Sequence, residues 1–263
     1  LHINAIDAYI DPPVPRGRAI ITHGHADHAR SGHGSVFATP ETLAIMALRY
    51  GVDVEASHNQ AYEYGDGFER GGVRFSFHPA GHVLGSAQIL MEYRGERIVV
   101  TGDYKRRADP TCAPFEVVPC DVFITEATFG LPVYRWPDTP AEVARIVQWR
   151  RACEARGRAA ILYAYALGKA QRILAELARF DEPPVYVHGA VDSGVQVYRG
   201  AGVPLIATET VGEQPKGMDM LLSIVPSNVL QAASDNGAIL SLMFFALMFG
   251  IGMVLTDDEK VAP

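Results

Sequence analysis

ITHGHADHAR, residues 21–30, places three histidines and an aspartate within six positions. The run overlaps RAIITH (18–23), an apolar stretch that reads as a strand, set off from a first strand AYID (8–11) by a proline-rich turn. His-x-His-x-Asp-His on a loop leaving a strand is a metal-ligand pattern. Imidazole nitrogen and carboxylate oxygen suit zinc, and also manganese or iron. His23 and His25 can turn onto one ion, Asp27 and His28 onto a second. One motif fills neither shell, so single ligands are expected at later strand ends. His82 in PAGHVLGS and Asp103 in VTGDYKR stand at such ends.

Outward from the motif, TPETLAIMALRYG (39–51) predicts a helix, with Thr39 as N-cap, Pro40 just inside and Gly51 closing it. GVRFSFHPAG (72–81) alternates with period two. SAQILMEYRGERIVVTGD (86–103) predicts a hairpin turning at Arg94-Gly95. CDVFITEATFG (120–130) predicts a buried strand running into a loop. Beyond it the pattern changes. TPAEVARIVQWRRACEARG (139–157) predicts an amphipathic helix with Val143, Ile146, Val147 and Trp149 near one side. AAILYAYAL (159–167) predicts a buried strand, GKAQRILAELARF (168–180) a helix and PVYVHG (184–189) a strand, together an α/β unit with a parallel pair. Gly168-Lys169 at that helix start suits a phosphate, though close strand-to-helix packing explains the glycine as well.

The 263 residues suffice for one large or two small domains, and 48% apolar content supports a packed core. A net charge of −7 gives no basic field over the whole chain, so a nucleic-acid role needs a local positive groove. Lys105, Arg106 and Arg107, directly after Asp103, are the candidates to grip a nucleic-acid backbone. Three cysteines, Cys112, Cys120 and Cys153, with no C-x-x-C, and no leader-like stretch point to reduced thiols in the cytoplasm.

Asp11 after a strand, then His23, His25, Asp27 and His28, then His82, then Asp103 together resemble the metallo-β-lactamase superfamily. The resemblance implies an α/β fold: an incomplete αββα sandwich over residues 1–130, then part of a β-CASP insert over 131–211. It implies His23, His25, His82 and Asp103 on a first metal and Asp27, His28 and Asp103 on a second, with Asp11 orienting the loop. Two divalent ions, zinc first and manganese as the alternative, are the expected cofactors. ITEATFG places Glu126 where β-CASP nucleases carry an acidic residue, and YALGKAQRIL resembles the segment that opens their insert. With AYIDP, TGDYKRR, TEATFGLPVYRWP and YVHGAV-x(6)-YRGAGV, residues 1–208 resemble the ligase-associated DNA exonucleases of bacteria.

That resemblance implies phosphodiester hydrolysis at a DNA end by a hydroxide bridging two metals about 3.5–4 Å apart. Asp27, Asp103 and Glu126 are the expected catalytic carboxylates, and an ATP-dependent DNA ligase and a helicase the expected partners. RNA processing on the same fold is the enzyme alternative. A small-molecule hydrolase leaves TEATFG and YALGKAQ without a role. A non-catalytic DNA-binding remnant is the binding-module alternative. Two further histidines that the family carries later have no counterpart, His188 being the last in the sequence. Residues 212–263 differ in character. MDMLLSIVPSNVLQAASDNGAILSLMFFALMFGIGMVL resembles dicarboxylate/amino-acid:cation symporters, which implies a fusion near 209–218. Its apolar run, 238–255, is long enough for a membrane helix, which makes a membrane protein the third class.

Overall fold

The computed structural model describes residues 1–51, 58–180 and 182–211, all but Val211 within one compact unit, Leu1–Thr210. The symporter-like stretch, the membrane run 238–255 and the segment 212–263 lie outside the described residues. Among the described residues no helix is long and apolar enough to cross a membrane.

Two five-stranded sheets form the first layer pair. The first holds β1 (His2–Ile3), β2 (Ala8–Ile10), β3 (Ala19–Ile20), β4 (Val36–Ala38) and β5 (Gln60–Ala61) in that order. β1 and β2 are antiparallel and the rest run parallel. Helix α1 (Pro40–Tyr50) follows β4, with the Thr39 hydroxyl accepting from the Thr42 N–H and Gly51 closing it, as the sequence predicts. The second sheet holds β6 (Gly67–Arg70), β7 (Val73–Pro79), β8 (Ala87–Tyr93), β9 (Glu96–Val100) and β10 (Val122–Ile124) as neighbours. All its pairs are antiparallel except β9 with β10. The β8–β9 turn puts Arg94 at φ 51 and Gly95 at φ 87, the left-handed pair that a two-residue hairpin needs.

Period two explains the layering. Val73, Phe75 and Phe77 of β7 meet Ile89 and Met91 of β8 and Ala8, Ile10, Ile20 and Phe37 of the first sheet in one shared core. Their neighbours point the other way. Ala19, Ile21, Val36 and Ala38 meet Met46 of α1 on the outer face of the first sheet. Leu90 and Val99 meet Val118 on the outer face of the second.

The remaining elements are α2 (Thr139–Glu154), α3 (Lys169–Leu177), β11 (Val185–Val187), α4 (Gly189–Gly200) and β12 (Thr208–Thr210). Val143, Val147, Leu174, Leu177, Val187, Val195 and Ile206 form their own core. Several expectations need correction here. AAILYAYAL (159–167) is not a strand, and it is exposed, with Tyr163 at 77% and Tyr165 at 78%. A strand exists only against a partner, and β11 pairs instead with β12, in parallel, across α4. β10 is a strand but not a buried one. It is a sheet edge, and Val122, Phe123 and Ile124 are all exposed. Trp149 of α2 lies on the exposed side of its helix, away from Val143 and Val147.

Candidate metal centre

The site forms where β2, β3, β7 and β9 end. Asp11, the first residue past β2, has φ 45, a left-handed conformation that aspartate tolerates better than most. It turns the carboxylate onto the histidine loop. Oδ1 accepts the Thr22 N–H at 2.8 Å, and Oδ2 accepts the Thr22 hydroxyl at 2.6 Å. Oδ2 also lies 2.8 Å from His28 Nδ1. One carboxylate therefore ties both ends of the motif and, by accepting a hydrogen bond from the Nδ1–H, leaves His28 Nε2 facing inward. That nitrogen is 3.4 Å from Asp103 Oδ1 and 3.7 Å from Asp27 Oδ2. Thr22, which the sequence reading did not single out, also sits 3.1 Å from His23 Nδ1 through its hydroxyl. It fixes His23 as Asp11 fixes His28.

The inward nitrogens converge. His25 Nδ1 is 3.0 Å from His23 Nε2 and 3.2 Å from His82 Nε2. Asp103 Oδ2 is 3.6 Å from His82 Nε2 and 3.9 Å from His23 Nε2. All four donor atoms lie within 4.8 Å of one another. Four ligands at the 2.0–2.1 Å zinc–nitrogen distance stand at tetrahedral separations of about 3.3 Å. The observed spacings bracket that value, so these residues fit a metal. Hydrogen bonding alone does not account for them. His25 Nδ1 faces two ring nitrogens at once and can share only one proton.

The electrostatics agree. Burial pushes His23 well below the ordinary histidine value, with the neighbouring His28, His25 and His82 adding to the effect. Burial lowers His25 as well, and it takes His82 down to about 4, with His25 and Lys105 contributing. Three neutral imidazoles are what a metal requires. His28 goes the other way. Burial pulls it down, but the Asp11 bond and the charges of Asp11, Asp103 and Asp27 outweigh that and raise it. Burial raises Asp103; His28 opposes this, while Glu126, Asp27 and Asp11 reinforce it. Carboxylates crowd together here, and a divalent cation relieves their repulsion.

Glu126 follows β10. Its Oε2 accepts the Thr128 N–H at 2.8 Å, so it does cap its loop, and its charge is felt by both His82 and Asp103. The basic triplet divides. Lys105 pairs with the buried Asp109, and Arg107 donates to the Trp136 and Pro137 carbonyls at 3.0 and 3.1 Å. Arg106 stays exposed. Sequence reasoning also missed Asp109, whose Oδ1 accepts the Thr111 N–H at 3.0 Å and hydroxyl at 2.6 Å. The D-P-T run carries the turn chemistry that signals it.

Two stacked sheets with ligands at their strand ends make a mixed α/β structure that fits a metallo-β-lactamase-type fold. Sequence relatives point the same way, to the metallo-β-lactamase/β-CASP family. A probable DNA ligase of Opitutus terrae is 29% identical over 206 residues, 77% of this chain and 20% of its own length. The endoribonuclease YSH1 of Eremothecium gossypii is 33% identical over 59% of this chain and 25% of its own. Cleavage and polyadenylation specificity factor 73 of Drosophila melanogaster is 30% identical over 68% of this chain and 26% of its own. The chain thus spans a fifth to about a quarter of the length of these relatives. No family model matches it.

Proposed function

We propose that this chain carries the first metal site of a metal-dependent nuclease, a DNA exonuclease of the ligase-associated type. The observation that carries the reading is the convergence of His23, His25, His82 and Asp103 on one point. In this reading His23, His25 and His82 would offer neutral nitrogens and Asp103 a carboxylate oxygen to one ion, and Asp27 and His28 with Asp103 would hold a second. When bound, zinc or manganese supplies Lewis acidity towards a phosphate oxygen and lowers the pKa of adjacent water. Asp27, whose side chain is 74% exposed beside His28, takes the proton from the attacking water. Glu126 adds negative charge that strengthens Asp103 as a ligand. Arg106 meets the nucleic-acid backbone from the rim. Asp11 and Thr22 do no chemistry; they hold the two outer histidines in the tautomers that face inward.

A DNA substrate is supported by the TEATFGLPVYRWP and YVHGAV segments and by the relative named as a probable DNA ligase. A cytoplasmic setting beside a ligase and a helicase belongs to the same reading. RNA cleavage is the second reading, favoured by the relatives named as endoribonucleases. End-labelled DNA and RNA of one sequence, and a circular DNA, separate these with and without chelator. Cleavage of linear DNA from its end, lost with chelator and in His25→Ala, is expected. Faster cleavage of the RNA, or nicking of the circle, would replace the reading.

A further inference from the structure

Among the described residues every metal-ligand candidate lies at or before Asp103, yet the start of α3 and Tyr198 of α4 pack on the loop that follows His82. Gly168 starts α3 at φ 85. A Cβ there would stand 2.7 Å from Val83 Cγ1, beside His82, and 3.6 Å from His25 Nε2. The helix start is thus wedged between two ligand loops, a contact that favours glycine on both counts. From α4, the hydroxyl of the fully buried Tyr198 accepts the Leu84 N–H at 3.3 Å.

One turn along α3, Arg172 Nε lies 3.4 Å from Asp109 Oδ2, and Arg172 Nη2 donates to the Thr139 hydroxyl at 2.9 Å. The Asp109 side chain is 3% exposed, and the same Oδ2 takes the Lys105 ammonium. Lys105 is two residues past Asp103, and its backbone N–H donates to the Ala80 carbonyl at 2.9 Å, two residues before His82. A continuous series of contacts therefore runs from α3 through Arg172, Asp109 and Lys105 to the loops that carry Asp103 and His82.

We infer that Asp109 and Arg172 are positioning residues for the metal centre, holding the Asp103 and His82 loops in register against α3 through Lys105. This rests on the reading of the centre as a metal site. Neither residue supplies one of the four converging donor atoms, so neither acts as a ligand. A buried carboxylate between two cations moves with them, because separating any one leaves an uncompensated charge. Metal sites tolerate ligand displacements of only about 0.2 Å, so slack in either loop is read out as affinity.

The test uses the whole chain. Zinc affinity is measured by competition with a chromophoric chelator, site geometry by the visible spectrum of the cobalt(II) form, and stability by melting of the metal-free protein. Arg172→Gln, which touches no ligand, is expected to weaken zinc binding about 10–100-fold, the range typical of lost outer contacts, and to change the cobalt bands. Arg172→Lys keeps the charge and is expected to bind zinc better than Arg172→Gln. If Arg172→Gln does not fold, Arg172→Lys carries the test with a smaller loss in the same direction. Wild-type affinity and an unchanged cobalt spectrum, with or without a lower melting temperature, would overturn the inference and leave Arg172 a purely structural residue. A wild-type chain that takes up neither metal would overturn the reading of the centre, and the inference with it.

Discussion

Replacing Asp11 by asparagine keeps the size of the side chain and its tolerance of the left-handed backbone at φ 45, so it isolates the charge. The carboxylate meets three donors: the Thr22 N–H on Oδ1, and the Thr22 hydroxyl and His28 Nδ1 on Oδ2. An amide has one acceptor oxygen. Its better orientation puts that oxygen at the Oδ2 position and turns the NH2 group against the Thr22 N–H. The variant then loses one charge-assisted bond, weakens two and leaves a buried donor unpaired. Bonds to charged groups contribute about 1.5–3 kcal/mol, and an unpaired buried group costs about 1–3 kcal/mol. The contributions share one side chain and do not add fully, so a net loss of about 2–3 kcal/mol is expected. Urea unfolding of the metal-free chain reads it. With a slope of about 2–3 kcal/mol/M, the midpoint should fall by about 1 M. A fall of less than about 0.3 M on that slope would mean that the carboxylate does not hold the histidine loop.

Other outcomes follow from the same structure. Asp109 titrates below the ordinary carboxyl range: burial pushes it up, but the Lys105 charge and bond and the Thr111 bonds outweigh that. Its stabilisation is therefore present above the unfolded value near 3.8 and is lost as pH falls through the lower folded value. The stability gap between wild type and Asp109→Asn, followed by urea titration across acid pH, should narrow below about pH 4; a gap independent of pH would contradict the ion pairing. Phe77→Ala removes a fully buried ring from the core shared by both sheets and should cost about 3–5 kcal/mol in the same unfolding assay. Trp149→Ala, on an exposed helix side, should change stability by no more than about 0.5 kcal/mol; a core-sized loss there would put Trp149 back on the buried side with Val143 and Val147.

The convergence of His23, His25, His82 and Asp103 was legible because its signals are local. Strand ends place side chains predictably: His82 follows β7, whose period-two pattern stands in the sequence, and His23, His25 and Asp103 follow the apolar runs of β3 and β9. The Arg94-Gly95 hairpin and the Thr39 cap were legible for the same reason. What failed depends on distant neighbours. AAILYAYAL (159–167) has strand composition, but composition does not supply a partner. Helix α4 went unread because Gly189, Gly194 and Gly200 lower its propensity and His188 is an unusual cap, its Nδ1 accepting the Ala190 N–H at 3.1 Å. Packing overrides both. Gly194 lies close to Gln171, where a Cβ would stand 2.7 Å from Nε2, and Val195 and Tyr198 are fully buried. Lys105 and Arg107 looked like a free basic patch because the carboxylate and carbonyls that hold them lie 4 and about 30 residues further along the chain.

Metal content per chain tests the central claim most directly. Elemental analysis of the purified protein, before and after chelation and zinc reloading, should give at least one tightly held divalent ion, lost in His25→Ala. Wild-type protein that holds no metal after reloading, or a His25→Ala variant that holds as much, would contradict the account of His23, His25, His82 and Asp103 as a metal centre.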